Sequence, residues 1–211
     1  MRLLTSLICS ALLFAVGCDK ADEGTEPAPA KSGEGNAAGN GTVSANPPAG
    51  AVAFSNDNAS ISFTGYKPSG EKHDGKFETF SGTFKFDKEN LAESSVQVTI
   101  DMNAIWTDAG NRLTGHLKNE DFFEVIQYPE SIFESSALAH VDGDNYNITG
   151  NLTLHGVTKE ITMPATITEA DGKLEVAIDY NLKRSDFGMN FNLDGINDEV
   201  PLSIRISADQ A

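Results

Sequence analysis

NYNITGNLTLHGVTKEITMPATITEADGKLEVAIDYNLK, residues 145–183, alternates apolar and polar side chains almost without interruption. Tyr146, Ile148, Gly150, Leu152 and Leu154 fall on one side, followed by Val157, Ile161, Met163, Ala165 and Ile167, and then by Leu174, Val176, Ile178, Tyr180 and Leu182. The positions between them are mostly Thr, Asn, Lys, Asp and Glu, so each run predicts a strand with one dry face and one wet face. Within the stretch, EADGKL at 169–174 is a hairpin signal, because a glycine after aspartate tolerates the positive φ of a tight turn.

The same period extends in both directions. ASISFTGY (59–66) aligns Ile61, Phe63 and Gly65; FSGTFKF (80–86) aligns Phe80, Gly82, Phe84 and Phe86; SVQVTIDM (95–102) aligns Val96, Val98, Ile100 and Met102. Toward the C-terminus Val200, Leu202, Ile204 and Ile206 alternate, and VDGDN (141–145) supplies a second tight turn. With ESIFESSALAH (130–140) these make about eight strands, mostly joined by short connections, which predicts an all-β, mainly antiparallel sheet. Strands with a single apolar face must close on themselves or pack against a second sheet. A closed barrel of about eight strands has an interior just wide enough for packed side chains or one slender ligand. Alternation alone leaves sandwich and barrel open, and it favours a filled core over a tunnel.

One segment departs from the period. In TDAGNRLTGHLKNEDFFEVIQYP (107–129) Leu113, Leu117, Phe122, Phe123 and Val125 suggest helical turns, with Asn119 as the cap of a second short helix. Tyr128 and Pro129 stop it and return the chain to a strand. The expectation is a short helical lid across one end of the sheet, with its phenylalanines pointing inward.

Three stretches, LTGHLKNEDFFEVIQYPESIFES (113–135), YNITGNLTLHGVTKEITMPA (146–165) and RSDFGMN (184–190), resemble in order and spacing the signatures of the YceI-like family, lipid- or polyisoprenoid-binding proteins of the bacterial envelope. The resemblance runs from about Ser60 to Ala208. It implies an extended lipocalin-like antiparallel barrel whose apolar channel holds an isoprenoid chain. The implied channel residues are Ile61, Phe63, Phe84, Val98, Ile100 and Phe122, together with Phe123, Phe133, Ile148, Leu152, Ile178 and Phe187. His116, Asp121, Tyr128, Pro129, Gly156, Arg184, Asp186 and Gly188 match family motif positions and are expected to be structural. His116 and Asp121 would bond backbone groups so that the phenylalanines stay seated. Arg184 and Asp186 would form an ion pair in a turn, or Arg184 would sit near a ligand headgroup. The stretch YKPSGEKHDGKFETFSG (66–82) is richer in Lys, His and Gly than is usual for the family, so the nearby channel mouth is expected to differ.

Other chemistries are weakly supported. An enzyme would use His116 and Asp121 as base and acid, yet no nucleophile motif accompanies them. A metal site would draw on His116, Glu120 and His155 or His73, without an HExxH motif or a close histidine pair. No cofactor is expected beyond a bound isoprenoid-like lipid. A ligand-free, filled barrel serving as a structural or stress-response interaction module is the main alternative to a lipid binder.

The N-terminus sets the expected compartment. Residues 1–17, MRLLTSLICSALLFAVG, read as a secretory signal, and AVGC resembles a lipobox with Ala15 where leucine is commoner, so Cys18 is the expected lipidation site. Cys9 lies within the signal, which leaves Cys18 unable to form an intramolecular disulfide. Residues 18–50, rich in Ala, Gly, Pro, Asn and Glu, read as a disordered tether with a reach of roughly 30 Å. Residues 51–211 are the barrel domain. The chain is therefore expected in the cell envelope, lipid-anchored and facing the periplasm, with inner and outer membrane both open. A formal net charge of −16 excludes a nucleic-acid partner on electrostatic grounds. It also favours a neutral isoprenoid such as a quinone over a prenyl phosphate, unless Lys67, Lys72 or Arg184 reverses the local field. A homodimer through a spare strand edge is left open.

Overall fold

The computed structural model describes residues 49–210. The signal segment, Cys18 and the tether up to residue 48 lie outside the described residues. Eleven strands follow: β1 (Ala51–Ser55), β2 (Ala59–Tyr66), β3 (Lys72–Phe77), β4 (Phe80–Lys85), β5 (Ser95–Asp101), β6 (Ile105–Thr107), β7 (Glu130–Asp142), β8 (Asn145–Leu154), β9 (Val157–Ala170), β10 (Lys173–Lys183) and β11 (Glu199–Asp209). One helix, α1 (Asn111–Leu117), lies between β6 and β7.

All pairings are antiparallel, in the order β1, β4, β5, β7, β8, β9, β10, β11, β2, β3, β6. Chain continuity turns this row into a ring. β1 and β2 are two halves of one bent lane, as are β3 and β4, and β5 and β6; the first lane pairs with the second through both halves and with β11 through β2. The result is an eight-lane antiparallel barrel of lipocalin-like form, so the expected eight runs are lanes, three of them broken in two. The breaks have local causes. The Asn58 side chain accepts from Ser55 N–H (2.9 Å) and donates to the Ala53 carbonyl (3.2 Å), which turns the chain between β1 and β2. Asp101 accepts from Asn103 N–H at 2.8 Å and starts the 3-10 turn Met102–Ala104 that separates β5 from β6. The halves β1, β3 and β6, of five, six and three residues, were not among the runs read from the sequence.

The hairpin signals form the turns they predict: Asp171 and Gly172 join β9 to β10 with φ of 53° and 75°, and Gly143 between β7 and β8 has φ of 51°. A second short helix after Asn119 does not form. Its carbonyl accepts from both Phe122 and Glu124 N–H, and Glu124, at φ 46°, ends any helical run, so 118–128 is a chain of turns. Among the described residues the row of strands ends at β1 and β6, the two shortest of the bent halves with five and three residues.

The inward faces build two apolar clusters. The larger includes Phe54, Phe84, Ile148, Ile167 and Leu174; the smaller gathers Met102, Val125, Leu154, Leu182, Phe187 and Met189 beneath the helical segment. Full burial of each such side chain contributes about 1.5–3 kcal/mol.

Candidate functional site

A cavity of about 250 Å³ runs inside the barrel and touches both clusters. A single water needs only about 10–15 Å³ on this measure, so the space is no packing defect. Ten of the twelve expected channel residues line it. Ile61, Phe63, Val98, Ile100, Phe133, Ile148, Leu152 and Ile178 come from the wall, Phe122 and Phe123 from the segment after α1. Leu113 and Leu117 of α1 line it as well, so the helical segment covers one end. Val98, Ile100 and Leu152 are inward-facing yet only half-buried, as expected beside an empty lumen.

Phe84 and Phe187 do not line the cavity; both are 1% exposed within solid packing. Phe84 stands between Val52 and Val96 in the sheet register, with Phe86 edge-on at 6.2 Å. Phe187 sits in the 3-10 turn Arg184–Phe187, which places its side chain in the smaller cluster with Leu182 and Met189. Phe54, Met189 and Ile196 line the cavity without having been expected. Phe54 alternates with Val52, a signal hidden by the brevity of β1; Met189 and Ile196 lie in an aperiodic loop that carries none.

The polar groups of the lining are Tyr66, Lys67, His73, Thr107, Ser131 and Arg184, and no aspartate or glutamate is among them. In a chain of net charge −16 this segregation is pronounced. Lys67 pairs with Glu71 at 2.8 Å and holds its carboxyl below the usual range. His73 lies 3.3 Å from both Glu71 and Asp108. Tyr66, Lys67 and His73 all come from the β2–β3 hairpin within 66–82, whereas Lys72 faces Asp74 instead, at 3.1 Å.

Arg184 is 3% exposed, and its guanidinium donates to three carbonyls: Met189 at 2.8 Å, Ile196 at 2.9 Å and Asn197 at 3.1 Å. Burial pushes its pKa down, partly offset by nearby Asp198. The expected pair with Asp186 does not form. Asp186 faces Lys159 at 2.9 Å, because the turn sends neighbouring side chains to opposite sides. Asp198 instead accepts from Ser185, through its N–H at 2.9 Å and its hydroxyl at 2.7 Å.

A family model for the YceI-like domain matches residues 53–208. The chain belongs to the YceI-like domain family. It is 35% identical to Protein YceI of Escherichia coli O17:K52:H18 over 150 residues, 64% of this chain and 73% of the relative, and 34% identical to Protein YceI of Salmonella arizonae over the same length. Among solved structures it is similar to Burkholderia cenocepacia BcnA, with a TM-score of 0.66, 29% identity and coverage of 71% of this chain and 96% of the other. The Campylobacter jejuni YCEI protein gives 0.58 and 27%, covering 65% and 84%. A polyisoprenoid binding domain from Saccharophagus degradans, implicated in plant cell wall breakdown, shares the fold at 0.61 and 15% identity, covering 77% and 99%.

The YceI-like motif residues meet at the covered end of the barrel. His116 and Asp121 bond each other, Nε2 to Oδ2 at 2.8 Å, and not backbone groups as expected; the five-residue spacing across a tight turn brings the two side chains face to face. The His116 ring packs edge-on against Phe122 (5.1 Å) and Phe191 (5.2 Å). Pro129 offers its carbonyl to Met102 N–H at 2.9 Å. Tyr128 covers Gly156, which has φ of 71° and has no room for a Cβ beneath that ring. Gly188 ends the Arg184–Phe187 turn at φ 79°. His155 accepts its place between them: Nδ1 lies 2.9 Å from the Phe187 carbonyl, and its buried Nε2 lies 3.6 Å from Glu124. Among the described residues no three His, Cys, Asp or Glu side chains are placed to hold a metal ion.

Proposed function

We propose that this YceI-like protein binds an isoprenoid-like lipid, a quinone or polyprenyl chain, in its barrel channel and carries or sequesters it in the bacterial envelope. The observation that carries the reading is the cavity itself: bordered by the wall and the helical segment, and lined mostly by aliphatic and aromatic side chains, without a carboxylate. Such a lining holds an apolar chain by burial alone, at roughly 25 cal/mol per Å² of ligand surface. The polyisoprenoid binding domain of Saccharophagus degradans, which has the same fold, supports the choice of ligand class.

Lipidation at Cys18 would anchor the protein outside the cytoplasm, with residues 18–50 as tether and the barrel facing the periplasm. The ligand is held and released without chemical change. Native mass spectrometry of the full chain purified from its own envelope, followed by lipid extraction, tests this. A bound species with the mass ladder of an isoprenoid is expected. An apo mass that persists after incubation with quinones and prenyl phosphates would overturn it.

A further inference from the structure

Three buried glycines in the barrel wall are each covered by a phenylalanine from a neighbouring strand. Gly75 on β3 stands opposite Phe63 on β2, and Gly82 on β4 opposite Phe54 on β1. Gly150 on β8 lies two residues from Leu152, the register partner of Phe133 on β7. A Cβ on Gly75 or Gly82 would lie 2.2 Å from Cζ of the covering ring, and one on Gly150 would lie 2.6 Å from Phe133 Cζ. Phe54, Phe63 and Phe133 all line the cavity, while none of the three glycines does. Each ring therefore rests on bare backbone, in the space where a side chain would otherwise stand.

The effect is on the width of the lumen. A ring seated on glycine occupies the thickness that the Cβ layer would have filled, so the wall is thinner at three places. Alanine beneath the ring would lift it into the channel. A wider bore suits a chain that is thick along its length, because a thin chain in it leaves gaps, and even a small radial gap forfeits a substantial part of the dispersion attraction.

We infer that the three phenylalanine-on-glycine pairs set the bore of the channel and make it select methyl-branched chains over unbranched ones. This rests on the lipid-binding reading above and adds the residues that determine which chain is taken. Gly75 is the informative position. The nearest atoms a Cβ there would meet all belong to the Phe63 ring, whereas Gly82 and Gly150 also crowd the carbonyls of Gln97 and Glu134. Gly75 is also absent from the positive-φ glycines, so its backbone accepts alanine. Phe63 leads toward the covered end: its ring is 5.6 Å from Phe77, which is 6.2 Å from Phe123.

The experiment titrates the full chain with phytanol and n-hexadecanol, which share a main-chain length and a hydroxyl head and differ in methyl branches. Wild-type protein is expected to prefer phytanol. Gly75→Ala is expected to weaken phytanol binding about tenfold while changing n-hexadecanol by no more than about twofold, and adding Phe63→Leu should restore phytanol affinity. Phe63→Trp alone, which leaves the glycine untouched and puts a larger ring into the channel, should erase the preference and can be read even if Gly75→Ala does not fold. Equal phytanol affinity in wild type and Gly75→Ala, or a wild-type preference retained by Phe63→Trp, overturns the inference alone. Wild-type protein that takes up neither alcohol overturns the lipid reading and this inference with it.

Discussion

His116 Nε2 and Asp121 Oδ2 meet at 2.8 Å across the turn that follows α1. The bond fixes the imidazole against Phe122 and Phe191, and so holds in place the segment that covers the cavity. Both side chains are about two-fifths exposed, at 39% and 41%, so the charge interaction itself is modest. His116→Ala should lower stability by about 1–2 kcal/mol, because ring packing is lost with the bond. Asp121→Asn should cost about 0.5 kcal/mol, since the packing stays. Urea unfolding of the two variants checks this, and equal losses would show that the rings contribute nothing.

Arg184 ties the ends of the loop between β10 and β11 together through the carbonyls of Met189, Ile196 and Asn197. Arg184→Met keeps most of the apolar stem and removes every donor. It should destabilise the protein by about 3 kcal/mol, with three carbonyls losing their partner. Arg184→Lys should recover little, because an ammonium cannot reproduce the planar fork. Amide exchange across residues 189–197 should accelerate in both variants; unchanged exchange there would refute the clamp.

Val98 is half-buried only because it faces the lumen. Val98→Phe should fill part of that space, weaken lipid binding about tenfold and change stability by no more than about 1–2 kcal/mol. Lipid titration alongside thermal unfolding separates the two effects. A variant that unfolds outright would mean the lumen is too tight to accept a ring.

Burial works to raise the pKa of Asp198, but the hydrogen bonds from Ser185, aided by Arg184 and Lys183, outweigh it and leave the carboxyl below its ordinary 3.8. A carboxyl depressed on folding adds stability that is fully present above the unfolded pKa and fades as pH falls through the folded one. The stability gap between wild type and Asp198→Asn should therefore be constant near neutrality and shrink below about pH 4. Urea midpoints from about pH 7 to about pH 2.5 measure the gap. A gap that widens in acid would contradict the assigned direction.

The strand pattern was legible because period-two alternation is a local property. Tyr146, Ile148 and Leu154 turned inward as their spacing requires, and the eight runs became eight lanes. The glycine turns at 143 and 172 were legible for the same reason: a positive φ is a demand on one residue and needs no distant partner. The helical segment over one end was half legible. Leu113 and Leu117 formed the helix, but the chain beyond it settled into turns around the Asn119 carbonyl and Glu124.

Alternation sorts side chains by face but says nothing of depth along the barrel axis. Phe63 and Phe84 both follow the inward pattern, yet Phe63 borders the lumen while Phe84 is packed solid among Val52, Val96 and Phe86. Which inward residues meet empty space depends on how lanes far apart in the chain are staggered when the ring closes. The same holds for Arg184, whose three acceptors lie 5 to 13 residues away, and for the Phe63 ring seated on Gly75 across a strand pair. Residue type and spacing settled the strands, their faces and their turns, since those follow from each residue's own backbone and its immediate neighbours. The open lumen, its acid-free lining and the width of its bore were decided by non-local packing, since a void belongs to the side chains around it and to no single stretch of sequence.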